Sequence, residues 1–141
     1  MMKLNHIGFL AEDCVQAAKF VDTMLGPQKW EFFDFYFPPE TVRIGGEIRL
    51  KTAVANFGPC DFEILAPYDC PGAYLYDCLK ERGPGLHHLA YFFDTLEEMY
   101  KQVDKLEAEG YVRLHDTERL PGHPTIYLQA PDQSMIYELH V

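Results

Sequence analysis

The chain is short of positive charge, holding 12 basic residues against 22 acidic ones, a net charge of −10. A surface so acidic is a poor partner for nucleic acid, whose phosphates need cations to replace their counterions. Only a local cluster could recruit an anionic ligand. Arg43, Arg49 and Lys51 in the first half, and Lys80 and Arg82 near the middle, either form such a cluster or are scattered surface charges. No apolar run approaches the roughly 20 residues that cross a bilayer. The opening Met1-Met2-Lys3-Leu4-Asn5-His6 lacks the apolar stretch of a secretory signal, so a cytoplasmic protein is expected. The four cysteines, Cys14, Cys60, Cys70 and Cys78, include no C-x-x-C pair, which leaves neither a zinc ribbon nor a thioredoxin-like motif. They are expected to be reduced and structural.

What is present is a core and a repeat. The 141 residues, 48% hydrophobic, suffice for one compact domain spanning 1–141. His6-Ile7-Gly8-Phe9 near the start is echoed by His88-Leu89-Ala90-Tyr91 past the middle. Each is a short apolar strand carrying a histidine. An amphipathic segment ending in glycine follows each, and each unit closes on an apolar strand carrying a glutamate, Glu63 or Glu138. The histidines are 82 residues apart and the glutamates 75 (88 − 6 and 138 − 63), a difference that surface loops absorb cheaply.

The local pattern predicts strands over 3–11, 30–37, 47–57 and 60–66, with a helix over 13–25. Asp13 and Gln16 form a capping box, and Gly26-Pro27 ends the helix. The second half repeats the plan. It has a strand over 86–93, a helix opened by Asp94 and Glu97 and stopped at Gly110, and strands near 111–115, 124–129 and 134–140. Leu96, Met99, Val103 and Leu106 line one face of that helix. A short helix over 74–81 lies in the linker, 67–84. Each half therefore reads β-α-β-β-β, with module 1 about 1–66 and module 2 about 85–141.

Side chains two apart on a strand share a face. His6 then lies beside Gly8 and Leu10, and His88 beside Ala90, so each histidine has a small neighbour that leaves room at the imidazole. The bulky flanks of the glutamates, Phe62 and Ile64 or Tyr137 and Leu139, are expected under the helices, which turns Glu63 and Glu138 to the other side of the sheet. A lone carboxylate on an apolar strand is costly to bury unless paired or metal-bound. One strand histidine is ordinarily a hydrogen-bonded core residue; two histidines and two glutamates in matching places point to a metal site. His87 is assigned to packing or a cap, and His140 shares the Glu138 face. His115 and His123 are expected in exposed loops.

With these residues in hand, the chain resembles the vicinal oxygen chelate superfamily, which includes glyoxalase I, methylmalonyl-CoA epimerase, extradiol dioxygenases and bleomycin-resistance proteins. The sharpest stretch is Gly83-Pro84-Gly85-Leu86-His87-His88-Leu89-Ala90-Tyr91, similar to the second-histidine strand of the epimerases. The helix ending Cys78-Leu79-Lys80-Glu81-Arg82-Gly83 resembles the same subgroup. The resemblance implies an α+β fold of two βαβββ modules forming a curled mixed sheet around a metal-binding cleft. It implies His6, Glu63, His88 and Glu138 as ligands of a divalent metal (Zn, Co, Ni or Mn). It implies a divalent-metal-dependent epimerase or isomerase that removes a proton next to a (thio)ester carbonyl, with Glu138 or Glu63 as base; Glu47, the first charged residue of an inner-looking strand, is a weaker candidate. The epimerases have glutamine where this chain has Glu63. A His-Glu-His-Glu set is closer to glyoxalase I, so a lactoylglutathione lyase is a rival, although Ala130-Pro131-Asp132-Gln133-Ser134 departs from the turn usual there. A non-catalytic binding protein on the same scaffold is the other rival, and an extradiol dioxygenase fits less well. The implied partner is a small molecule, an acyl-CoA or a glutathione thioester, and the implied assembly a homodimer, with neither nucleic acid nor membrane involved.

Overall fold

The computed structural model describes residues 1–42, 45–117 and 124–141. Arg43 of the basic cluster and His123 fall outside the described residues. Eight strands form one sheet. In module 1 these are β1 (Lys3–Leu10), β2 (Glu31–Phe37), β3 (Ile48–Asn56) and β4 (Asp61–Pro67); in module 2, β5 (Gly85–Phe92), β6 (Val112–Asp116), β7 (Thr125–Gln129) and β8 (Ile136–His140). Helices α1 (Cys14–Leu25) and α3 (Leu96–Ala108) follow the first strand of each module, and α2 (Tyr74–Arg82) joins the modules. The strand order is β2-β3-β4-β1-β5-β8-β7-β6. β1 runs parallel to β4, and β5 parallel to β8. The modules meet where β1 and β5 pair antiparallel. The expected α+β fold of two βαβββ modules in a curled sheet is therefore the observed one.

The helices form where predicted, with one change of cap. The Asp13 carboxylate accepts from the Val15 and Gln16 amides at the start of α1. At α3 the cap is Thr95, one residue later than the predicted Asp94, and its side chain accepts from the Glu98 amide. Asp94 instead accepts a hydrogen bond from the N-terminal amine of Met1 at 2.7 Å. That charged pairing competes with capping for the same carboxylate.

Each helix covers the outer side of its own module. Ala18 on α1 packs with Ala53 and Ile64, and Phe62 joins them. Met99 and Val103 on α3 pack with Ile126, Leu128 and Leu139, and Tyr137 lies alongside. The flanks of both glutamates thus sit under the helices, as alternation requires, leaving Glu63 and Glu138 on the inner side. Leu96, expected on the buried face of α3, is the first residue of the helix and is 45% exposed. All four cysteines are free thiols. Among the described residues no helix is long and apolar enough to cross a membrane.

Candidate metal centre

The two modules bring His6, Glu63, His88 and Glu138 together at the β1–β5 junction, one ligand atom from each lying within 4.8 Å of all the others. His6 Nε2 lies 3.1 Å from His88 Nε2. Glu138 Oε2 lies 3.3 Å from His6 Nε2 and 2.8 Å from His88 Nε2. Glu63 Oε2 is 3.7 Å from His6 Nε2. A cation with ligand distances of about 2.1 Å holds neighbouring donors roughly 3.0 Å apart at right angles and roughly 3.4 Å apart at the tetrahedral angle. The spacings of 3.1 and 3.3 Å fall in that range, and those of 2.8 and 3.7 Å lie just outside it on either side. Two imidazole nitrogens and a carboxylate oxygen converging on one point cannot all be satisfied by a single proton, and two carboxylates offset a divalent charge. The donor set therefore fits a divalent cation.

The strand register explains the convergence. Gly8 pairs with Glu63 on one side and with His88 on the other. Ala90 pairs with His6 on one side and Glu138 on the other. Each small residue thus stands between the glutamate of its own module and the histidine of the other. Sequence reasoning put the free space beside each residue's own histidine; the structure places it beside the opposite one. A Cβ on Gly8 would collide with the His88 ring at Cε1, Nε2 and Nδ1.

Two β-bulges flank the stretch that carries the imidazoles and displace the residue before each one. The β1–β5 register slips between Leu4 and His6, leaving Asn5 as the extra residue, and slips again between Gly8 and Phe9, where His87 is the extra residue of β5. A bulge carries a side chain to a face that alternation would deny it. Asn5 Oδ1 lies 2.7 Å from His6 Nδ1. His87 Nδ1 lies 2.9 Å from His88 Nδ1, and His87 Nε2 lies 3.0 Å from the Tyr74 hydroxyl on α2. Each bulge residue thus occupies the outward nitrogen of the histidine that follows it, leaving Nε2 to face the centre. His87, expected only to pack or cap, is a partner of His88. Burial, then the neighbouring His88 and Arg82, lowers its pKa to about 3. A neutral imidazole can accept from His88 Nδ1–H and donate from Nε2 to Tyr74. The signal was in the sequence, as a polar residue before each histidine, but the bulges were not.

Two further side chains close the site. Tyr127 pairs with Glu138 across β7–β8. Burial first, then the charges of Glu138 and Glu63, pushes its phenol well above the ordinary range, so it stays a donor. His115, expected in an exposed loop, is buried on β6 opposite Tyr127. The strand continues through it, and a register slip between Arg113 and His115 turns its ring inward. His140 stacks at a tilt near His6, ring centroids 5.8 Å apart, outside the cavity in front of the cluster.

Glu47 stands apart from the four. It accepts from the Tyr36 hydroxyl at 3.0 Å and pairs with Arg49 at 3.5 Å. The described cations of the basic group do not converge either. Lys51 lies over the Tyr68 ring, Lys80 pairs with Glu12 and Arg82 reaches Cys78 Sγ.

Charge is shared unequally within the cluster. Burial opposes protonation of His6, but Glu138 and then Glu63 outweigh it and raise its pKa to about 9. Burial opposes ionisation of Glu138, yet His6 and His88 hold it well below the usual carboxylate range. Glu63 moves the other way, raised by burial against the pull of His6. A folded-state pKa above the ordinary 6.5 stabilises the metal-free protein below about pH 6.5, and that contribution is lost as pH rises to about 9. A cation must displace the same proton. The expected result is a melting temperature that falls from pH 6.5 to 9 in chelator, while stabilisation by added zinc grows over the same interval. Calorimetry in buffers of different ionisation enthalpy should find about one proton released per zinc near pH 7.5; zinc binding without proton release would contradict the charge assignment.

The glyoxalase/bleomycin resistance protein/dioxygenase superfamily model matches residues 5–127. No curated protein matches the chain by sequence. Among solved structures, a hypothetical protein from Bacillus halodurans C-125 is 20% identical with a TM-score of 0.66, the match covering 99% of this chain and 93% of that one. Methylmalonyl-CoA epimerase from Mycobacterium tuberculosis is 18% identical with a TM-score of 0.63, covering 98% of this chain and 86% of the other. A variant of the Streptomyces coelicolor methylmalonyl-CoA epimerase, in complex with 2-nitronate-propionyl-CoA, is also 18% identical with a TM-score of 0.63, covering 98% and 95%. At these identities the likeness is one of fold. With the family matched over most of its length and the same architecture throughout, this chain belongs to the glyoxalase/bleomycin resistance protein/dioxygenase superfamily.

Proposed function

We propose that the protein is a divalent-metal-dependent isomerase that moves a proton at the carbon next to a carbonyl, in the manner of methylmalonyl-CoA epimerase. The observation that carries this is the four-residue centre opening onto a cavity of about 460 Å³. His6, His88, Glu63 and Glu138 would hold the ion. When bound, the cation supplies Lewis acidity to the carbonyl oxygen beside the carbon that loses its proton.

The rest is work for the chain's own side chains. Glu138 is committed through Oε2 to both histidines. Glu63 is 3.7 Å from its nearest cluster partner, borders the cavity and is only half-buried. At the edge of the cluster and bordering the cavity, it is placed to take a proton from a substrate and give it back. The same reading takes the protein as a cytoplasmic homodimer acting on a small thioester or related carbonyl compound.

Solvent deuterium incorporation tests the reaction. Metal-loaded protein should catalyse exchange at the α-carbon of a 2-substituted acyl thioester, followed by proton NMR against a chelator-treated control. Methylmalonyl-CoA and 2-phenylpropanoyl-CoA are suitable probes. Stoichiometric metal with no exchange in either would sink the proposal. A glyoxalase-I-like lyase is the second reading, favoured by the carboxylate at Glu63, and is checked by ultraviolet assay with the hemithioacetal of methylglyoxal and glutathione.

A further inference from the structure

Building on the metal-dependent reading above, we infer that the body of the substrate entering the cavity is neutral and aromatic, with no carboxylate or phosphate in contact with its wall. The evidence is the chemistry of that wall. Phe33, Phe35 and Phe37 alternate along the edge strand β2 and turn the same way into the cavity. Their rings stack, with centroids 5.7 Å apart between Phe33 and Phe35 and 5.8 Å apart between Phe35 and Phe37. Phe33 and Phe35 are still 41% and 40% exposed, although such side chains gain most from burial. Behind them Ile48, Leu50 and Val54 continue the apolar surface.

The polar groups are few, and apart from the two ligand glutamates none is a carboxylate. Thr52, Thr117, Thr125, His115 and Tyr127 line its other parts. Among the described residues no lysine or arginine lines it. Arg49 and Lys51, on the strand that supplies Leu50 and Thr52, are engaged with Glu47 and the Tyr68 ring instead. An anionic substrate group placed against this wall would lose its hydration and meet no lysine or arginine among the described residues, in a protein of net charge −10. A flat apolar body would cover the exposed phenylalanine faces. Specificity then divides in two: the centre selects oxygen donors, and the β2 ladder selects the group attached to them.

Three hydroxamic acids with one metal-binding head and different tails test this. Acetohydroxamic, phenylacetohydroxamic and succinic monohydroxamic acids are titrated calorimetrically into zinc-loaded protein. The phenyl compound should bind at least about tenfold tighter than the methyl one, and the carboxylate compound no tighter than the methyl one. Phe35→Ser should remove the phenyl preference without lowering zinc content, and Phe35→Lys should turn the preference toward the carboxylate. A carboxylate probe that binds wild-type protein as tightly as the phenyl probe, or three equal affinities, overturns the inference. A metal-independent arm uses 2-(2-naphthyl)ethanol on chelator-treated protein, followed by its fluorescence. Binding there that is lost in Phe35→Ser supports the aromatic wall even if no zinc is retained, which separates failure of the wall from failure of the metal reading; absence of binding in both arms overturns the inference.

Discussion

Glu63→Gln and Glu138→Gln should fail in different ways. Glu138 is the carboxylate within 3.3 Å of both imidazoles, and its side chain is nearly sequestered from solvent. An amide there keeps the shape but removes the charge that holds two nitrogens and a cation at one point. Metal affinity should fall by at least about 100-fold, beyond the 10–100-fold typical when only an outer partner of a ligand is lost. Activity should fall with it. Glu63 touches the cluster at 3.7 Å from one side, and the amide oxygen of glutamine can still act as a weak ligand. Glu63→Gln should therefore keep most of its metal while losing roughly 10²–10⁴ in exchange rate, the usual contribution of a positioned base. Metal analysis beside deuterium exchange on both variants decides the matter. A Glu63→Gln protein with full exchange would move the base elsewhere and bring the site closer to the epimerases that carry glutamine there.

Adding one methyl group at Gly8 is expected to do nearly as much harm. The new Cβ would overlap the His88 imidazole. His88 is 2% exposed, held by His87 behind and Glu138 in front. Either the ring swings out of the centre or β1 and β5 separate. Overpacking of a tight core costs about 1–3 kcal/mol, and a displaced ligand should lower zinc affinity by at least about tenfold. Gly46→Ala is the matched control, because a Cβ there meets nothing within 4 Å. Thermal melts with and without zinc separate the two costs. Gly8→Ala protein with unaltered zinc affinity would mean that Gly8 is not the spacer between the modules.

Much of this was legible in the chain. A histidine strand, an amphipathic helix with a glycine stop and a glutamate strand recur, and periodicities of 3.6 and 2 are local properties of sequence. They were enough to assign β1 to β8, to turn Phe62 and Tyr137 toward the helices and to nominate His6, Glu63, His88 and Glu138. Thr95 rather than Asp94 caps α3 because the N-terminal amine, 93 residues away, claims the aspartate. Such a competition has no local signature.

By itself, the sequence determined the repeat, the element types and the chemical kinds of the four central residues. Only the tertiary structure decided which module each small residue serves, since Gly8 makes room for His88 through a register that pairs strands 80 residues apart. It also decided that Asn5 and His87 hold the outward nitrogens, because bulges arise from pairing two strands and not from either one. His115 and the β2 phenylalanine ladder became cavity walls for the same reason. Alternation states that side chains share a face, but the curl of the sheet decides what that face encloses.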